Sequence, residues 1–326
     1  MCGLFGYSCY GDDVKANYFN DLINSLARSS SERGTDATGI AYLLDSKIEI
    51  EKDAKSACEI NFAVPDGTKV LLGHTRKSTQ GSEKRNYNNH PFFGKTNQVS
   101  FALAHNGIIS NDIMLRNSLK LPKSKVETDS YIAVQLLENK GSLGMESMKF
   151  MAESVYGSFS FTILDDNNNL YIVKGDSPVS ILHFKELKLY VYASTDKILW
   201  KALVNSPLFE KLKSGVCSNH SIEEIKLNAG QILKLSGGNL EYDAFKYSDT
   251  CGWEFDWSRF NSKKNSSCQN AEYLEFLNQT AIQLGYSDGM VEELLEEGFS
   301  LTEIEEYLYD PEMFQSEVDL MQENEI

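Results

Sequence analysis

The chain has 326 residues, 41% hydrophobic and 24% charged, the balance of a globular protein with room for one large or two ordinary domains. No apolar run approaches the roughly 18 residues of a membrane-spanning helix, and no basic stretch followed by an apolar one opens the chain, so no membrane partner and a cytoplasmic location are expected. The net charge of −16 sits at one end: Ala271 to Ile326 holds 16 acidic residues and no Lys or Arg, while residues 1–270 hold 31 of each sign, a pattern that disfavours nucleic acid and favours basic protein surfaces.

In chain order, Met1-Cys2-Gly3-Leu4-Phe5-Gly6-Tyr7 reads as an apolar strand. Tyr18, Phe19, Leu22, Ile23 and Leu26 mark one face of a helix over Val14–Ser30. A glycine-rich turn through Arg33 and Gly34 leads to a strand near Tyr42, a short alternating strand spans Lys47–Lys52, and Lys55–Pro65 is helical or irregular. Lys69–Arg76 is a buried strand. Lys77–Lys95 is polar and poor in aliphatics, the composition of a lid or a disordered excursion. Val99–Ala104 is a strand running into Asn106-Gly107, a pair that by itself signals a hairpin turn. Asn111 is placed to cap a helix reaching Leu119, and Glu127–Ser130 opens another that runs to Glu138. Ser142–Tyr156 is an amphipathic helix. Hairpin strands follow at Ser158–Leu164 with Leu170–Lys174 and at Val179–Phe184 with Lys188–Ala193, then a helix capped at Ser194-Thr195-Asp196 and reaching Val204. Ile222–Leu227, Gln231–Leu235 and Leu240–Phe245 are the last strands. Thr250–Asn270 lacks a period and reads as a linker, and three short helices are expected at Glu272–Leu284, Gly289–Glu297 and Thr302–Tyr309.

The six cysteines (2, 9, 58, 217, 251, 268) show no paired spacing, so neither disulfides nor a metal site is expected. Cys2 differs from the others by position. Removal of Met1 is expected before so small a residue, and it leaves Cys2 with a thiol and a free α-amino group. The thiolate is a strong nucleophile, and the amino group, titrating at about 7.7–8.0, is a base near neutrality. By position alone, Cys2 also reads as a small apolar filler.

Six segments occur in order: Met1-Cys2-Gly3-Leu4-Phe5-Gly6; Arg33-Gly34-x-Asp36-x-x-Gly39-Ile40; Gly73-His74-Thr75-Arg76-x-x-Thr79-x-Gly81; Asn89-His90-Pro91-Phe92; His105-Asn106-Gly107-Ile108-Ile109; and Glu127-Thr128-Asp129-Ser130. The series resembles the glutaminase domain of class II glutamine amidotransferases, the N-terminal-nucleophile type, and most of all the one in glucosamine-6-phosphate synthase. The resemblance covers roughly residues 2–245 and implies an α+β fold, a four-layer αββα sandwich, followed by a small all-helical acidic tail. The expected domains are a glutaminase domain over 2–248, a linker over 249–270 and the tail over 271–326.

By the same resemblance, Cys2 attacks the side-chain amide of L-glutamine, and the Asn106 amide and Gly107 N–H form the oxyanion hole. Arg76 makes a two-pronged contact with the substrate carboxylate, Thr79 adds a hydroxyl to it, Asp129 holds the ammonium and Arg33 lies near the nucleophile. His74, His90 and His105 are scaffold. No cofactor is implied. The chain departs from the synthase pattern at Lys77 and Gln80, which stand where Trp and His are usual. The segment after residue 245 is too short for a sugar isomerase half, which points to a stand-alone glutaminase handing ammonia to a separate acceptor protein, with the acidic tail as candidate docking element. Two other readings stay open: hydrolysis of a γ-glutamyl or other small amide, and a non-catalytic glutamine sensor or assembly subunit.

Overall fold

The opening apolar run becomes a strand buried at every position, and the domain is assembled on both sides of it. The computed structural model describes residues 2–11, 16–207 and 222–247, and of the rest only 274, 277–278, 281–282, 286–287, 289–296 and 304. In order, the elements are β1 (Gly3–Cys9), α1 (Ala16–Ser30), β2 (Ala37–Leu44), β3 (Lys47–Asp53), β4 (Val70–Arg76), β5 (Phe92–Lys95), β6 (Ser100–Ile109), α2 (Asp112–Ser118), α3 (Tyr131–Lys140), α4 (Met145–Ser154), β7 (Gly157–Asp165), β8 (Leu170–Lys174), β9 (Ser180–Phe184), β10 (Leu189–Ala193), α5 (Asp196–Val204), β11 (Ile222–Ile225), β12 (Gln231–Ser236), β13 (Asn239–Ala244) and α6 (Met290–Glu296). The chain divides into two compact units, Met1–Cys251 and Gly252–Ile326. Of the expected C-terminal helices, the middle one is seen as α6; the linker and most of the other two lie outside the described residues.

The first unit holds two antiparallel sheets. One has seven strands in the order β11-β9-β10-β1-β4-β2-β3, the other six in the order β13-β12-β8-β7-β6-β5. Alternation along each strand sends one set of side chains inward between the sheets. Leu4, Leu72, Ala102, Ala104, Leu164 and Tyr192 share that inter-sheet core, where the alanines of β6 let the sheets approach. The other face of the seven-stranded sheet buries Phe5, Tyr7 and Val191 against Phe19, Leu22, Ile23 and Leu26 of α1 and Ile198, Leu199 and Leu203 of α5. α3 packs on β5 and on α4, and α4 reaches β12, which covers the outer face of the second sheet. The result is the αββα sandwich.

Four local expectations are corrected. Asn106-Gly107 is no turn, because β6 runs straight through it in unbroken register with β7 (Asn106↔Ser160, Gly107↔Phe159). Gly107 has φ 144°, and a Cβ there would lie 1.8 Å from the Ser158 carbonyl oxygen, so the glycine serves close strand approach rather than reversal. Asn111 does not cap α2 with its side chain; its amide accepts from Tyr156 N–H and donates to Ser154 O, pinning the end of α4. The acids of 127–129 precede α3 rather than lining its first turn. The 77–95 stretch is also no loose excursion: it contains a 3-10 turn over Asn86–Asn88 and the strand β5, packed by buried Asn88 and Asn89.

Candidate active site

β1 and β4 pair so that Gly3 faces Thr75, which sets Cys2 beside Arg76 at the strand ends. Cys2 is half-buried, its thiol donating to Lys77 O at 3.6 Å. Arg33 donates from Nε to Cys2 O at 2.7 Å, so it is bonded to the Cys2 main chain. Burial pushes the Cys2 thiol up, and the Arg76 guanidinium opposes that rise while the Asp129 carboxylate adds to it. Cys2, Arg76 and Asp129 thus lie within one another's electrostatic reach.

β6 supplies the opposite wall. β5 pairs with it only over Ser100–Leu103, so its edge is uncovered from there on. Phe159, opposite Gly107, has its N–H bonded to Asp176 Oδ1 and its carbonyl to Gly175 N–H. In an antiparallel pair, residues opposite each other point both toward or both away. The Gly107 N–H is therefore directed to the open edge. On that edge His105 O accepts from His74 Nε2 at 2.9 Å and Ile109 N–H donates to Asp129 Oδ2 at 2.7 Å, so Gly107 lies between two anchored groups. Asn106 is 1% exposed and its Nδ2 has no hydrogen-bond partner among the described residues, a buried donor left for something else.

Asp129 is fixed on three sides. Besides Ile109 N–H, its carboxylate accepts from Ser130 Oγ, and its own N–H donates to Gln80 Oε1 at 2.9 Å. Because the Ser130 hydroxyl proton faces Asp129, its oxygen accepts from His105 Nδ1–H at 2.8 Å, which sets the tautomer of that imidazole. About half of the carboxylate's acceptor positions stay open among the described residues.

Arg76, 3% exposed, donates from Nη1 to Asn89 Oδ1 and from Nη2 to the carbonyls of Gln80 and Gly81. Both Nη2 hydrogens are engaged, and every two-pronged face of a guanidinium uses one of them. The two-pronged carboxylate contact expected of Arg76 is thus not open as the loop stands; one Nη1 hydrogen and Nε–H remain. Thr79 is exposed, and its hydroxyl makes no hydrogen bond among the described residues. Gln80, noted in the sequence only as a departure, links Arg76 to Asp129 through its carbonyl and its side chain. Asn89 was visible as part of a motif, yet its hold on Arg76 had no signal in the sequence. The same holds for Asp36, which accepts from Ser78 N–H and lies 3.5 Å from Lys77 Nζ.

Behind the site, the His74 and His90 rings pack at a tilt with centroids 4.2 Å apart, and His90 lies 4.3 Å from Phe92. Burial, reinforced by the nearby Arg76 and Lys52 cations, pushes His74 down to about 3 and His90 well below its ordinary value. These imidazoles are neutral packing groups. Among the described residues no cluster of three or more His, Cys, Asp or Glu is arranged to hold a metal, and no helix is long and apolar enough to cross a membrane.

A family model described as a glutamine amidotransferase domain matches residues 74–201. The glutamine–fructose-6-phosphate aminotransferase (isomerizing) of Geobacillus kaustophilus is 31% identical over 189 residues, 56% of this chain and 30% of that protein. The enzyme of the same name from Clostridium acetobutylicum is 31% identical over 256 residues, 75% of this chain and 40% of that protein. The chain spans well under half the length of these curated relatives. Among solved structures, the glutamine phosphoribosylpyrophosphate amidotransferase from B. subtilis, complexed with ADP and GMP, superposes with a TM-score of 0.57 at 19% identity over 76% of this chain and 50% of that one, a likeness of fold. Taken with the order of the six motifs and the two packed sheets, these matches show that the chain carries a glutamine amidotransferase domain of class II, built on the N-terminal-nucleophile hydrolase fold.

Proposed function

We propose that the chain is a glutaminase component that hydrolyses the side-chain amide of L-glutamine to glutamate and ammonia and passes the ammonia to a separate acceptor-carrying protein. The observation that carries this reading is the meeting of Cys2 with Arg76 and Asp129 at the uncovered edge of β6, where Asn106 Nδ2 lacks a partner among the described residues. A buried cation and a buried carboxylate there suit the two charged ends of a free amino acid.

In the proposed sequence, the α-amino group of Cys2 takes the thiol proton and the sulfur attacks the amide carbon. The oxyanion accepts from Asn106 Nδ2 and Gly107 N–H. Collapse breaks the C–N bond, the α-ammonium returns its proton to the leaving nitrogen, and ammonia departs. Water then attacks the thioester, releasing glutamate and restoring the thiol. Because burial raises the Cys2 thiol, a base within the same residue is the economical way to generate the thiolate. Arg76 faces the substrate carboxylate, aided by Thr79, Asp129 holds the ammonium, and Arg33 fixes the Cys2 main chain. The acidic 271–326 segment is the docking element for the acceptor protein, a role supported by its lack of any Lys or Arg.

The test is glutamate release from glutamine by wild type and Cys2→Ala, with intact mass measured on both. Turnover that vanishes with the thiol, in a chain whose mass starts at Cys2, is the expected result. A wild-type chain without Met1 that leaves glutamine intact but cuts γ-glutamyl amides sinks the glutaminase reading.

A further inference from the structure

Lys52 is on β3, an edge strand separated from β1 by β4 and β2, and no motif contains it. Its ammonium nevertheless reaches across to the 86–91 segment and donates to Asn89 O at 2.5 Å and Pro91 O at 2.9 Å, over the Phe92 ring at 5.3 Å from the centroid. The segment holds Lys52 in return, since Asn86 Nδ2 donates to Lys52 O at 2.7 Å. Gly39, paired with Lys52 on β2, permits this crossing: a Cβ there would lie 2.4 Å from His90 O and 2.6 Å from Lys52 Cβ. Asn89 is fully buried and each end of its amide is engaged. Nδ2 donates to Glu83 O and Asn86 Oδ1, and Oδ1 accepts from Arg76 Nη1. Asn89 therefore links the two cations, its main-chain carbonyl held by the Lys52 ammonium and its side-chain oxygen bound to the Arg76 guanidinium.

The charges around Lys52 do not explain its burial. From β4 it faces Arg76 and His74, and from the 86–91 segment His90. On its own strand, Glu51 accepts from Tyr42 and Asp53 pairs with Lys55, while nearby Glu59 accepts from Ser56 N–H. Among the described residues its ammonium has no carboxylate partner. A lone cation held half-buried beside a second cation is unfavourable by itself, and one of the two carbonyls it binds belongs to Asn89, the residue bonded to Arg76.

We propose that Lys52 is a positioning residue for the glutamine site, its ammonium holding Asn89 in place so that Asn89 holds the Arg76 guanidinium toward the substrate carboxylate. The proposal rests on the glutaminase reading for the identity of that carboxylate. Burial and the neighbouring Arg76 push the Lys52 amine down to about 8, so the hold weakens as pH rises through that value.

The experiment measures KM and kcat for L-glutamine from pH 6.5 to 9.5 with the full-length wild type, Lys52→Met and Lys52→Arg. Lys52→Met is expected to raise KM about tenfold, with kcat changed by less than about twofold, matching loss of charge-assisted hydrogen bonds acting on binding. Wild-type KM is expected to rise above about pH 8, and that added rise is expected to be absent in Lys52→Arg, whose guanidinium keeps its charge. Arginine at this position should also keep KM within about threefold of wild type at pH 7. Unchanged KM in Lys52→Met, or a KM rise above pH 8 identical in wild type and Lys52→Arg, overturns the proposal. If wild type releases no glutamate, the glutaminase reading has failed rather than this one. L-glutamate binding by calorimetry then reads the same three proteins, with the same tenfold weakening expected of Lys52→Met and equal affinities overturning it.

Discussion

At the scale of single residues, the site is a set of polar groups tied to one another by hydrogen bonds, with several donors left open among the described residues, Asn106 Nδ2 one of them. Asn106 Nδ2 is buried and unpartnered, a condition that costs folding free energy and that native proteins seldom keep without use. Asn106→Ala removes that donor without breaking a hydrogen bond through Nδ2. The expected outcome is a fall in kcat of about 10²–10³, as for other oxyanion donors, with thermal unfolding nearly unchanged. A variant that keeps kcat within threefold would show that the oxyanion is stabilised elsewhere. The sequence made this residue legible through its motif, yet local chemistry pointed the other way, because Asn-Gly is a hairpin signal. Tertiary pairing overrode it: Gly107 serves the approach of β7, and the strand continues. Lys52 and Asn89 were illegible as partners because their contact joins residues 37 apart across two elements with no shared periodicity.

Among elements, the strands and helices with strong periodicity were readable. α1 carries its apolar face at Phe19, Leu22, Ile23 and Leu26, and β7 with β8 flank a run of Asp and Asn that can only turn. β5 was missed because its four residues follow a proline and end a polar stretch, so the pattern lacked the length that makes a strand visible. Its loop is ordered by packing that joins His74 of β4, His90 and Phe92, with His105 of β6 beside them. All three histidines are held below their ordinary value by burial, with Arg76 and Lys52 adding repulsion at His74 and His90, and Asp129 partly offsetting the shift at His105. Between the unfolded value near 6.5 and the lower folded values, the unfolded chain binds more protons, so stability is fully present above about pH 6.5 and is lost as pH falls. The expected slope is up to about 1.4 kcal/mol per pH unit for each histidine. Denaturant unfolding at pH 7.5, 6 and 5 checks it; a midpoint that does not move would mean that the imidazoles are solvated in the native state.

For the whole molecule, the proposed docking role of the acidic segment predicts that catalysis and association can be separated by cutting between the two compact units. A chain ending at Phe260 is expected to hydrolyse glutamine with kcat/KM within about twofold of the full chain. It is also expected to lose its complex with the ammonia acceptor, followed by gel filtration, and the full-length complex should weaken at high salt if charge drives it. Retention of the complex by the shortened chain would remove the acidic segment from that role. The two-sheet architecture was legible through the resemblance, whereas strand order was not, since nothing local in Gly3–Cys9 says that it pairs with residues 70–75 on one side and 189–193 on the other. That central position bears on how the enzyme is made. The strand that follows Cys2 cannot be flanked on both sides until residue 193 exists, because Phe5 pairs with Ala193. Long-range pairings of this kind form slowly and late in folding. The proposed nucleophile therefore lacks its complete supporting sheet until the far strand has docked.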